Sequence, residues 1–87
     1  MSLQVEMISR RGCHLCDEMK ELLVRLQEGQ PFSFAVTDVD SRPGLFLYYS
    51  HRVPVLLVNG RPVAELRWDE QVVRAQLFGL TSTPASR

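Results

Sequence analysis

The chain has two cysteines, and only two residues separate them: Cys13-His14-Leu15-Cys16. Thiols at this spacing can close a small disulfide, or they can supply half of a metal site. The pair follows an apolar run, Leu3 to Ile8, and opens a long helical pattern. A thiol at a helix N-terminus meets unpaired backbone N–H groups and the positive end of the helix dipole, and both favour thiolate. Arg10 and Arg11 lie just upstream and bring positive charge, and His14 adds more when protonated. These residues are expected to hold the Cys13 pKa below the value of about 8.5 typical of a free cysteine. Cys16 is followed by Asp17 and Glu18, whose carboxylates favour the neutral thiol. Metal ligands are harder to assemble. His14 is wedged between the cysteines and His51 is the only other histidine, so a tetrahedral Cys2His2 set has no obvious source.

The bulk composition narrows the setting. With 87 residues, 45% hydrophobic and 23% charged, the chain reads as one globular domain. Residues 1–80 form the expected domain and 81–87, which lack apolar anchors, a flexible tail. Ten basic and ten acidic residues balance to zero net charge, which argues against nucleic-acid binding. The N-terminus has an early acid and no long apolar core, unlike a signal peptide. No apolar stretch approaches the roughly 20 residues of a membrane span. A cytoplasmic monomer is the expectation. In that compartment a close thiol pair is more often catalytic or metal-binding than structural.

The elements that must position the pair follow from periodicity. Leu3 to Ile8 reads as a strand, ended by Ser9-Arg10-Arg11-Gly12. Leu15, Met19, Leu22, Leu23 and Leu26 recur at helical spacing, so a helix is expected from about Cys13 to Glu28, stopped by Gly29 and Pro31. Phe32 to Val39 is a second strand, with Phe32, Phe34 and Val36 on one face. A short helix follows, capped by Asp40 or Ser41 and opened by Pro43, with Leu45, Phe46, Tyr48 and Tyr49 on its apolar side. Val55 to Val58 is a continuous apolar run, the mark of a buried central strand. Asn59-Gly60 is a hairpin turn, and Pro62 marks Arg61 to Leu66 as an edge strand. Asp69 caps a last helix that turns Val72, Val73, Leu77 and Leu80 inward and ends at Gly79. The order β-α-β-α-β-β-α is that of an α/β protein with one mixed four-stranded sheet.

A Cys-x-x-Cys between a first strand and first helix, Val53-Pro54 before the third strand, then a hairpin and closing helix, resembles the smallest form of the thioredoxin fold. The likeness to glutaredoxins is strongest. It is closest to the small bacterial glutaredoxin-like group with a Cys-His-Leu-Cys centre, through Gly12 to Glu18, Asp38-Val39-Asp40, Tyr49 and Arg52 to Leu56. The resemblance spans about Leu3 to Leu77 and implies helices on both faces of the sheet. It departs at two places. His14-Leu15 replaces the usual Pro-Tyr or Pro-Phe, and Leu66-Arg67-Trp68-Asp69-Glu70 stands where many glutaredoxins have Gly-Gly-x-Asp.

What the resemblance implies is a thiol–disulfide oxidoreductase of cell redox homeostasis and electron transport. Cys13 attacks a disulfide, a mixed disulfide forms, and Cys16 displaces the product. Pro54 is expected to be cis and to lie against the cysteines, leaving the Val53 backbone free to pair with substrate. Arg52 and Asp69 are the expected polar contacts, and Leu15 an apolar one. The substrate is glutathione or a protein disulfide; no permanently bound cofactor is implied, and glutathione would serve as co-substrate. Other readings stand beside these: a solvated Arg52 and His14, a Trp68 that packs on the sheet or offers a platform, and a binding module whose cysteines hold a metal or cluster.

Overall fold

The computed structural model describes residues 3–79, and the expected tail at 81–87 lies outside them. The chain runs β1 (Val5–Ser9), α1 (His14–Gly29), β2 (Phe34–Asp38), a 3-10 turn (Val39–Ser41), α2 (Pro43–Tyr49), β3 (Val55–Val58), β4 (Arg61–Glu65) and α3 (Glu70–Phe78). The strands form one sheet in the order β2-β1-β3-β4. β1 pairs parallel with β2 and antiparallel with β3, and β3 pairs antiparallel with β4. This is the mixed sheet that the element order implies and the thioredoxin fold that the resemblance implies.

Side chains alternate across the sheet, so each central strand feeds two cores. Val5, Met7, Leu56 and Val58 face one way and pack with Cys16, Met19, Leu22, Leu23 and Leu26 of α1 and Val73 and Leu77 of α3. Ile8, Val55 and Leu57 face the other way and pack with Val39, under Leu45 and Tyr49 of α2. All four residues of β3 are therefore buried. Asn59 and Gly60 both have positive φ, 53° and 83°, as a tight hairpin turn requires. β4 lies at the sheet edge, where Pro62 withholds no needed donor.

Several boundaries differ from the sequence expectation. α1 includes Gly29, and Gln30 caps it in an extended conformation. Pro31 explains this, because a residue before proline is driven out of the helical region. β2 starts at Phe34, since the Phe32 carbonyl accepts a 2.6 Å bond from Gln27 Nε2 and is drawn away from the ladder. Phe32 still packs inward, with its ring 6.0 Å from that of Phe78. Val36, on the outermost strand, is half exposed. Neither Asp40 nor Ser41 caps α2. The Asp40 N–H donates to Asp38 Oδ1 and Ser41 Oγ donates to the Asp38 carbonyl, which holds both in the preceding turn. Arg42 takes the cap position without a side-chain bond. Phe46, Leu47 and Tyr48 point outward, and only Leu45 and Tyr49 of the expected apolar side pack inward. Seven residues give α2 too few turns to bury a full stripe. Val72 is likewise exposed, and Leu80 lies outside the described residues. No helix is long and apolar enough to cross a membrane.

Two leucines separate core from surface. Leu23→Ala, at a fully buried site, is expected to lower the unfolding free energy by about 3 kcal/mol. Leu47→Ala, at a site 82% exposed, is expected to change it by less than about 0.5 kcal/mol. Urea denaturation followed by circular dichroism checks both values.

Candidate functional site

The cysteine pair sits where the centre of the sheet hands over to a helix. Gly12 has φ +76°, and the Cys13 N–H donates to the Arg10 carbonyl at 3.2 Å. The chain thus turns sharply between β1 and α1, at a position that favours glycine. Cys13 is the N-cap of α1. Its sulfur accepts from the Cys16 N–H at 3.0 Å, the role a Ser or Asp oxygen usually fills. Cys13 and Cys16 form a disulfide, with Cα atoms 5.2 Å apart. The two differ in access. Cys13 is half-buried, whereas Cys16 is 2% exposed and belongs to the core beneath α1. Among the described residues, no cluster of three or more His, Cys, Asp or Glu side chains gathers around a common point.

The basic groups near the pair are arranged differently from the sequence expectation. The Arg10 guanidinium turns toward α2: it lies 3.6 Å from Asp40, donates to the Ser50 carbonyl at 3.4 Å, and sits 5.7 Å over the Phe46 ring. The Arg10 backbone carbonyl accepts from the Cys13 N–H, while its guanidinium is engaged by Asp40, Ser50 and Phe46. Arg11 is exposed and makes no ion pair among the described residues. His14 projects into solvent, with Nε2 3.3 Å from Glu18. Its side-chain contact is thus along the helix surface.

The Val53–Pro54 peptide bond is cis, as the resemblance implied, and Pro54 is buried. Val53 packs against both cores, and Cys13 packs against the first of them. The Val53 N–H and carbonyl have no hydrogen-bond partner among the described residues. Its flanking carbonyls are used: Arg52 and Pro54 both accept from the Leu66 N–H, at 3.1 and 3.0 Å. The Arg52 guanidinium is 3.7 Å from Glu65, so its charge is paired within the chain. Asp69 caps α3, accepting from the Gln71 N–H at 2.8 Å. That bond is the helix cap that the sequence pattern expects of Asp69.

Two residues at the site carry no obvious sequence signal. Leu66 has φ +61°, and the Arg67 N–H folds back to the Glu65 carbonyl in a three-residue turn. Leu66 and Arg67 line a groove with Leu15, Glu18 and Trp68, next to the cysteines. The only hint was negative: these residues replace a glycine-rich segment. Trp68 meets both sequence readings, since it packs on the first core and also lines the groove.

Comparison with known proteins follows the same lines. Residues 4–78 match the family profile described as Glutaredoxin-like domain (DUF836). An uncharacterized protein of Mycobacterium tuberculosis is 34% identical over 79 residues, covering 85% of this chain and 81% of its own. A Nitrosomonas europaea protein solved by NMR superposes with a TM-score of 0.77 at 32% identity, over 88% of this chain and 93% of its own. Oxidized mitochondrial thioredoxin 3 of Saccharomyces cerevisiae gives a TM-score of 0.67 at 18% identity, over 91% and 79%, a likeness of fold.

The cap geometry makes Asp69 testable apart from any ligand. Asp69→Ala is expected to cost about 1 kcal/mol of stability, whereas Asp69→Asn, which caps equally well, retains most of it. Thermal melts of the two variants distinguish a cap from a residue whose role is only at the surface.

Proposed function

The chain belongs to the glutaredoxin-like domain family, and from that premise we propose that it is a cytoplasmic thiol–disulfide oxidoreductase acting as a monomer. The observation that carries this reading is the contrast within the pair: a half-buried Cys13 at a helix N-terminus and a fully buried Cys16 one turn on. When the pair is reduced, the first-turn amide that now meets Cys13 Sγ favours a thiolate there. That thiolate attacks one sulfur of a substrate disulfide. A mixed disulfide forms, and the other substrate sulfur leaves as a thiolate and takes a proton from solvent. Cys16 loses its proton, attacks Cys13 Sγ and expels the second substrate sulfur. Two electrons have then moved to the substrate, and the chain holds the Cys13–Cys16 disulfide. A thiol donor such as glutathione returns the pair to its reduced form, and no bound cofactor is needed.

The remaining sequence-derived residues take supporting roles in this reading. The unpartnered backbone of Val53, beside cis-Pro54, supplies an N–H and a carbonyl for an extended substrate. Arg11 contributes charge near Cys13. Arg52 would have to leave Glu65 to meet a substrate carboxylate. His14, paired with Glu18 in solvent, acts on the thiolate only through its charge.

Two variants and the wild type test the reading. Cys13→Ser is expected to abolish exchange with glutathione disulfide or a peptide disulfide. Cys16→Ser is expected to accumulate the mixed disulfide, visible by mass spectrometry. In the reduced wild type, alkylation of Cys13 is expected to titrate with a midpoint below about 8.5. Exchange that survives in Cys13→Ser would sink the proposal.

A further inference from the structure

Leu15, Glu18, Leu66, Arg67 and Trp68 line a groove beside the first turn of α1. Leu66 is held at φ +61°, a region unfavourable for any residue with a Cβ. Its surroundings over-determine that conformation. Its N–H is shared between the Arg52 and Pro54 carbonyls, and the Arg67 N–H closes onto the Glu65 carbonyl. The side chain is nevertheless 45% exposed. Leu15, between the two cysteines, is 41% exposed and lines the same groove, as does Trp68. Apolar groups from α1 and from the segment after β4 thus converge in one groove, which Leu15 of the Cys13–Cys16 turn lines.

The charges bordering the groove are unequal in their commitments. Glu65 is 3.7 Å from Arg52, whereas Glu18, in the groove wall, is 3.3 Å from His14, which carries charge only when protonated. Arg67 has no carboxylate within ion-pair distance among the described residues. Arg67 is the one cation among the groove's lining residues, on the segment after β4.

We propose that this groove selects the polypeptide segment that carries the disulfide under attack. A bulky apolar residue next to the segment's cysteine packs on Leu15, Leu66 and Trp68, and a neighbouring Asp or Glu pairs with Arg67. The proposal rests on the oxidoreductase reading and names its preferred substrate class. Glutathione disulfide can offer carboxylates to Arg67, but it has no apolar side chain to cover the two leucines. The apolar contact dominates, because buried apolar area is not screened by salt, whereas a single exposed ion pair is. The exchange itself is unchanged: Cys13 Sγ bonds to the segment's cysteine, the segment's S–S bond breaks, and Cys16 releases the peptide as a thiol.

The test uses the reduced full chain in single-turnover exchange, read by acid quench and mass spectrometry. The probes are disulfide-linked peptide dimers with Phe before the cysteine and Glu after it, a twin with Ser for Phe, a twin with Gln for Glu, and glutathione disulfide. The wild-type rate constant is expected to be about tenfold higher for the Phe peptide than for its Ser twin, the effect of burying one large apolar side chain. A smaller, salt-sensitive preference is expected for Glu over Gln. Leu66→Asn places a polar residue that tolerates the left-handed region, so it keeps the fold. It is expected to bring the Phe/Ser ratio near one. Arg67→Gln is expected to bring the Glu/Gln ratio near one, and Arg67→Lys to restore it. A folded Leu66→Asn variant with the wild-type ratio overturns the proposal. So does a wild type that exchanges with all four probes equally, while the oxidoreductase reading stands. A reduced wild type that exchanges with none of them overturns both.

Discussion

The helix that begins at Cys13 has to satisfy its first backbone amides, and it does so with sulfur. The Cys16 N–H meets Cys13 Sγ at 3.0 Å, where an N-cap oxygen would ordinarily sit. A disulfide sulfur is a weak acceptor, and a thiolate is a much better one. The rest of the molecule holds that helix end still. β1 delivers the chain from the centre of the sheet, Gly12 turns it, and five buried residues of α1, Cys16 among them, anchor the helix to the core.

The difference between the two cysteines follows from helix geometry alone. An N-cap residue lies outside the first turn, and a residue three positions on faces the side of the helix that Met19, Leu23 and Leu26 continue. Cys13 therefore stays half-buried while Cys16 enters the core. No special device is required to make the pair unequal, and an unequal pair is what sequential attack and release needs.

The surroundings of the pair are assembled from distant segments through backbone hydrogen bonds. The Leu66 N–H straddles Val53 by bonding to the carbonyls on either side of it, which ties the end of β4 to the cis-proline loop. Arg10 ties the turn before Cys13 to the end of α2 through Asp40, the Ser50 carbonyl and the Phe46 ring. Such contacts bury little apolar area, so they add less to stability than the leucines of α1 do. Their effect is to fix how the loop before α1 meets α2 and how the cis-proline loop meets the end of β4.

The sequence alone determined the element order, the two-sided burial of Val55 to Val58, the Asn59-Gly60 hairpin, the Asp69 cap and the Gly79 stop. Each is a local rule: a side-chain period, a turn that needs positive φ, or a side chain that reaches its own helix. It also singled out Cys13, Cys16 and Val53-Pro54, because their types and order resemble a known family. Only the tertiary structure decided the rest. The extent of burial of Val36, Phe46 and Val72 depends on which neighbours reach them. The partners of Arg10, His14 and Arg52 are chosen by long side chains among several carboxylates, and periodicity says nothing of that choice. Leu66 reads as the last residue of a strand, yet bonds from Arg52, Pro54 and Glu65 hold it at φ +61° and turn it out beside Leu15. A conformation that local preference opposes is set by contacts between residues far apart in the chain, and those exist only once it has folded.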